Sequence, residues 1–170
     1  MKTYPPTFIV CGTLWALLTG AIARGQEPVG ALEIKSIAEV ESRVAQPQGA
    51  PGSSGVELVP ADRVAPGDRV IYTLEVRNGG KTPIDAPDFT YPIPEHMRFV
   101  ANSAVGPGAE VSYSVDGGRS YARPEALEVK GPDGKLRAAV AADYTDIRWR
   151  LKNSLKVNSV AFVRFRTIVK

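Results

Sequence analysis

Few residues in this chain are equipped for chemistry, and their spacing decides what kind. His96 is the only histidine, and it lies in the Pro-rich run Pro92-Ile-Pro-Glu-His-Met97. A zinc centre around it would need several carboxylates in place of the usual His and Cys ligands. A Ser-His-Asp triad would have to recruit it with no Ser-containing elbow nearby. It reads as a surface-loop histidine, and Glu95 beside it as a sequence neighbour without the geometry of an acid–base pair.

The segment Ser114-Val-Asp116-Gly117-Gly118-Arg-Ser120-Tyr121 has the spacing of an Asp-box hairpin, S-x-D-x-G-x-[ST]-aromatic. An aspartate so placed caps its own turn by accepting backbone N–H groups, so Asp116, Gly117 and Gly118 are expected to form a structural turn; a glycan site is the functional alternative. Calcium needs six to eight oxygen ligands. The loops at Asp116 and Asp133 are filled mostly by Gly, Arg, Lys and Pro. No metal site and no cofactor are expected.

The most distinctive pattern is Ile147-Arg148-Trp149-Arg150-Leu151-Lys152, where an apolar face alternates with a cationic one. Arg164 and Arg166 extend it if the last two strands form an antiparallel hairpin. Like charges directly opposite one another are destabilising. Acidic groups should therefore answer them, either within the chain (Glu75, Glu33 or Glu39) or on an anionic partner, the alternative being plain solvation with the long side chains covering sheet surface. Arg148, Arg150, Lys152, Arg164 and Arg166 form the candidate partner-binding surface, Arg being suited to bidentate contacts. Trp149 shares a face with Ile147 and Leu151 and belongs to the core, as does Tyr72 with Val70, Leu74 and Val76. Tyr91, Tyr113, Tyr121 and Tyr144 are not placed by parity; clustered on loops, they would make a glycan-stacking surface.

The elements that position these residues read as strands. Residues 65–80 hold a Pro66-Gly67 turn, an alternating run from Val70 to Arg77, and an Asn78-Gly79-Gly80 turn whose residues tolerate positive φ. Residues 32–44 carry apolar side chains on even positions and charges on many odd ones. Leu32 and Ile34 would lie about 200° apart on a helical wheel, so a strand is favoured there. Residues 46–55 are a Pro/Gly/Ser-rich loop, and 56–59 resume as a strand. Residues 82–90, with Pro83 and Pro87, suit an edge strand or an irregular return, and Tyr91-Pro92-Ile93-Pro94 should break any ladder. Further strands are expected at 97–100, 111–115, 127–130, 147–151 and 159–169. Pro132-Asp133-Gly134 should turn a hairpin, and residues 138–142 offer the one helical turn.

Short strands between regular turn signals predict an all-β, immunoglobulin-like antiparallel β-sandwich of seven to nine strands. A transmembrane barrel would need more and longer strands. At 170 residues, 44% hydrophobic and 23% charged, the chain is long enough for one domain with a real core.

Lys2, the apolar run from Phe8 to Leu18 and the small residues Ala21 and Ala23 have signal-peptide order, so residues 1–23 are expected to be cleaved. A membrane anchor is disfavoured, because Gly12, Thr13, Thr19 and Gly20 interrupt or end a run short for roughly 30 Å of hydrocarbon. Cys11, the only cysteine, would leave with the leader. The exported chain would enter an oxidising compartment without a thiol. Without Lys2, 20 basic residues stand against 18 acidic ones, too mild a balance to imply nucleic acid. Residues 24–55 then form an N-terminal strand and loop, and 56–170 the sandwich, with 31–44 pairing against it.

Residues 65–80, Ile93-Pro94 and Asn102-Ser103, followed by Tyr113-Ser-Val-Asp-Gly-Gly-Arg-Ser-Tyr121, Ile147-Arg-Trp149 and Val160-Ala-Phe-Val-Arg-Phe165, together resemble the bacterial "domain of unknown function eleven". The resemblance covers most of residues 56–169. It implies an immunoglobulin-like module of secreted and surface proteins, and no reaction.

The expectation is an exported, non-enzymatic module, periplasmic or at the cell surface, with a structural or protein-interaction role in the envelope. Its partner would be an envelope protein or an anionic glycan, and a glycan-binding module is the alternative. The first and last strands are also candidates for β-augmentation by a neighbour.

Overall fold

The computed structural model describes residues 32–43 and 56–170. The expected leader, with Cys11, and the loop at 46–55 lie outside the described residues. Ten strands occur among them: β1 (Leu32–Arg43), β2 (Val56–Pro60), β3 (Arg69–Asn78), β4 (Asp88–Pro92), β5 (Met97–Phe99), β6 (Ala109–Ser114), β7 (Glu128–Lys130), β8 (Leu136–Ala138), β9 (Asp146–Leu151) and β10 (Val160–Val169). Two single turns of 3₁₀ helix, Pro124–Ala126 and Ala141–Asp143, are the only helical elements described. None is long and apolar enough to cross a membrane.

All pairings are antiparallel. One sheet runs β2-β1-β3-β10-β5 and the other β4-β9-β6, while β7 and β8 form a separate ribbon. Eight strands thus build an all-β antiparallel sandwich, within the seven to nine expected, and the ribbon brings the total to ten.

Strand alternation builds the core. Along β3, Val70, Leu74 and Val76 are wholly buried and Tyr72 nearly so. Phe165 of β10 lies between the layers, stacked on Tyr72 with ring centroids 4.9 Å apart and tilted against Trp149 at 6.0 Å. Trp149, Ile147 and Leu151 fill the facing sheet from β9. Such aromatic pairs add about 0.5–1.5 kcal/mol beyond their area. The Trp149 indole N–H is buried without a hydrogen-bond partner, so this side chain contributes through packing and ring contacts and not through a hydrogen bond.

Three local expectations are corrected. Asn78 does not adopt positive φ. It ends β3 fully buried, with Nδ2 donating to the carbonyls of Thr82 (2.8 Å) and Leu155 (2.9 Å) and Oδ1 accepting from Gly80 N. Its amide side chain, not its backbone freedom, makes the corner. Second, Tyr91 and Pro92 remain in the ladder, opposite Ile147 and Asp146. Because β4 is an edge strand, the donor that proline lacks is not needed there.

The third correction concerns the last two strands, which form no hairpin. Strand β9 lies between β4 and β6, whereas β10 lies between β3 and β5 in the other sheet. Residues 152–159 cross between the layers, held midway by buried Leu155, whose N and O pair with O and N of Ile84.

Candidate functional site

Because β9 and β10 belong to different sheets, the five expected cations do not share a surface. Arg148, Arg150 and Lys152 project from the outer face of β4-β9-β6, and Arg164 and Arg166 from the outer face of the five-stranded sheet. Each group meets its own local partners.

On the smaller sheet, Arg150 stands between Asp88 of β4 and Glu110 of β6 in the register. Its Nη2 and Nε donate to Asp88 Oδ2 at 2.8 and 3.2 Å. Arg148 Nε lies 3.8 Å from Asp88 Oδ1 and donates to Ser112 Oγ at 3.3 Å, with its guanidinium carbon 4.7 Å from the Tyr121 ring centroid. Lys152 Nζ is 3.7 Å from Glu110 Oε1. Beside them is a shallow cleft of about 180 Å³ lined by Ser112, Tyr121, Arg123, Arg148, Arg150 and Glu110, among others. Acids do answer the cations, but they are Asp88 and Glu110 rather than Glu75, Glu33 or Glu39. The signal for Asp88 lay in its own strand, where Asp88 and Thr90 alternate with Phe89; reading a β9–β10 hairpin hid it.

On the larger sheet, Arg166 Nε lies 3.5 Å from Glu41 Oε1, and Arg164 Nε donates to Thr73 Oγ1 at 3.1 Å. These side chains lie over the outer residues of β3, which explains why Thr73 is 9% exposed and Ile71 only 3%. Exposed ion pairs of this kind contribute about 0–1 kcal/mol each. They neutralise the face more than they hold the fold.

The Asp116 turn takes the expected form. Asp116 Oδ1 accepts from Ser114 Oγ (2.7 Å) and from the amides of Arg119 and Ser120 (both 3.0 Å), and Oδ2 accepts from Ser120 Oγ (2.6 Å). The Ser120 and Ser114 hydroxyls, then the backbone amides, hold its carboxyl well below the usual carboxylate range. Gly117 and Gly118 sit at φ of +73° and +80°, which favours glycine, and Gly117 N donates to Thr145 Oγ1. The closing pair Tyr113–Ala122 exchanges both backbone bonds. Both carboxylate oxygens of Asp116 are engaged within the hairpin.

The unplaced tyrosines are likewise absorbed. Tyr113 is buried and stacked on Tyr144 at 4.5 Å, and burial, then the neighbouring Tyr144, push its hydroxyl up to about 12. Tyr91 tilts against Tyr72 and Phe165 and donates to Ser36 Oγ at 2.9 Å. Tyr121 is half-buried under Arg148. They do not cluster as an exposed stacking platform. His96 is exposed in its loop, where its carbonyl accepts from Lys170 N. Among the described residues no group of His, Cys, Asp and Glu is arranged to hold a metal ion.

Strand edges remain. The carbonyl of Ala38 accepts from Ala61 N, so the even residues of β1 point their N–H and C=O groups away from β3. Strand β2 covers residues 39–43 of that edge. Among the described residues no strand covers 32–37. By contrast β10, expected as a second open strand, is internal, with Val100 and Val105 continuing the pairing beyond β5. No family model matches the chain, and no curated protein matches it significantly.

Proposed function

We propose that the protein is an exported, non-enzymatic, immunoglobulin-like module that serves the bacterial cell envelope by protein interaction through a strand edge. The single observation that carries this reading is the edge of β1 at residues 32–37, which no described strand covers, in a sandwich whose charged outer faces are largely paired within the chain. Open edges are templates for strand addition, in which main-chain hydrogen bonds supply affinity. The commitment of Asp116 to its turn, and of Asp143 to bidentate bonds from Arg137 and a bond from Val140 N, supports a structural rather than a catalytic use of the carboxylates.

The family resemblance carried by residues 65–80, and the signal-like order of residues 1–23, support the envelope address. A glycan-binding reading has less to stand on, because Tyr113 is buried and Tyr91 and Tyr144 are partly buried against the core.

A photo-crosslinking residue placed at Ser36 in the exporting cell tests the proposal, with Arg150 as the comparison position. Discrete protein adducts from position 36, exceeding those from 150, are expected. Adducts only from 150, or none from either, would overturn the reading.

A further inference from the structure

The inner face of β1 overhangs the smaller sheet. Strand β4, at that sheet's margin, reaches Ser36 through Tyr91, and beyond this point Ile34 faces inward yet is 42% exposed. An apolar side chain on the inner face, next to backbone that no described strand pairs, describes an edge left open among the described residues. The odd residues of the same stretch, Glu33 and Lys35, lie on the outer face opposite Arg77 and Glu75 of β3.

We infer that this edge pairs with the same edge of a second copy, antiparallel and centred on Ile34, so that Ile34 meets Ile34 and Glu33 meets Lys35 across a two-fold axis. The inference rests on the proposed strand-edge reading and names its partner. Three observations select this register. The edge-pointing groups belong to even residues, so Ile34–Ile34 is a hydrogen-bonded pair and Glu33–Lys35 the closer, non-hydrogen-bonded pair beside it.

The charges then alternate across four strands: Arg77 and Glu33 of one copy, followed by Lys35 and Glu75 of the other. The same row repeats on the other side of the axis, as isologous contact requires. Centring on Lys35 would set Lys against Lys, and centring on Glu33 would set Glu against Glu, each unfavourable. A centre at Ser36 would bring Glu33 against Glu39 and press Ile34 toward Ala38, whose carbonyl Ala61 already takes. The ladder is therefore short, residues 32–36 against 36–32, and the assembly is reversible.

Two substitutions test it in the full chain carrying Cys11→Ser, which has no other cysteine. Hydrogen-bonded antiparallel residues sit about 5.5 Å apart between Cα atoms, inside disulfide range. Ile34→Cys should oxidise to a reducible dimer at least tenfold faster than Lys35→Cys, whose two copies are offset along the strands. In sedimentation, Glu33→Lys and Lys35→Glu should each convert the dimer to protomer mass, and the double exchange Glu33→Lys/Lys35→Glu should restore it. Glu33→Lys disturbs Arg77, Lys35→Glu disturbs Glu75 and the double variant disturbs both, so rescue reports the contact between copies. Protomer mass for the parent at all concentrations, equal oxidation at 34 and 35, or no rescue would each overturn the inference. A monomer that still crosslinks another envelope protein from position 36 would overturn it while leaving the strand-edge function intact.

Discussion

The outer face of β9 and the free edge of β1 carry opposite kinds of signal. The β9 face is conspicuous in sequence, three cations in six residues, yet the fold brings Asp88, Glu110, Ser112 and Tyr121 against them. The β1 edge is plain in sequence, and its backbone donors and inward isoleucine stay uncovered by described residues. Concentrated charge on a strand thus marks where the neighbouring strands supply countercharge, whereas the proposed interaction edge is marked by what pairing among the described strands leaves over.

The sharpest contrast is between what lies beneath each surface. Trp149→Ala, under the cationic face, should cost about 3–5 kcal/mol in denaturant unfolding, as a cavity at the centre of the aromatic cluster. Trp149→Phe should cost markedly less, since the indole N–H it removes has no partner. Ile34→Ala should cost under about 1 kcal/mol in dilute solution, because the residue is already 42% exposed. A large loss at Ile34 in the monomer would break the comparison.

Asn78→Ala should be the costliest polar change, at about 2–3 kcal/mol, since it leaves the Thr82 and Leu155 carbonyls without their donor. Asp88→Ala should lower stability by about 1 kcal/mol or less, with the loss shrinking at high salt. If Arg148, Arg150, Arg164 and Arg166 are all changed to Gln, envelope association should stay within twofold; its abolition would return the functional role to the cationic residues.

The smallest effect is a pH dependence. Asp116 is depressed in the folded state, so its contribution is present above the unfolded carboxyl pKa of about 3.9 and is lost only as pH falls through its lower folded value. The stability difference between the parent and Asp116→Asn should therefore be constant from neutral pH down to about 4 and narrow below it. Tyr113 gives the opposite sign: its contribution holds below pH 10 and fades as pH rises toward about 12, which ultraviolet titration of the phenols would follow.

Much of the fold was legible because a half-buried strand writes its face into every second residue. Val70, Tyr72, Leu74 and Val76 were read correctly this way, as were Ile147, Trp149 and Leu151. The Asp116 turn was legible because the donors to its carboxylate, Ser114, Arg119 and Ser120, are all sequence neighbours. Parity does not say which strands are neighbours, however. The assignment of Arg164 and Arg166 to the face of Arg148 failed for that reason, since residues 152–159 look like a turn and act as a crossing between layers. Sequence does not separate the edge of β1 from that of β10 as an open strand, because whether a strand end is covered depends on how far β2 reaches.

Backbone hydrogen exchange of Ile34 and Ser36, followed across protein concentration, tests the central claim most directly. Both amides point from the edge of β1 that no described strand covers. The account predicts rapid exchange in dilute solution and protection that grows at least tenfold with concentration, while amides of β9, already paired on both sides, do not change. Exchange at 34 and 36 that is independent of concentration and unaltered in the assembled envelope would contradict it.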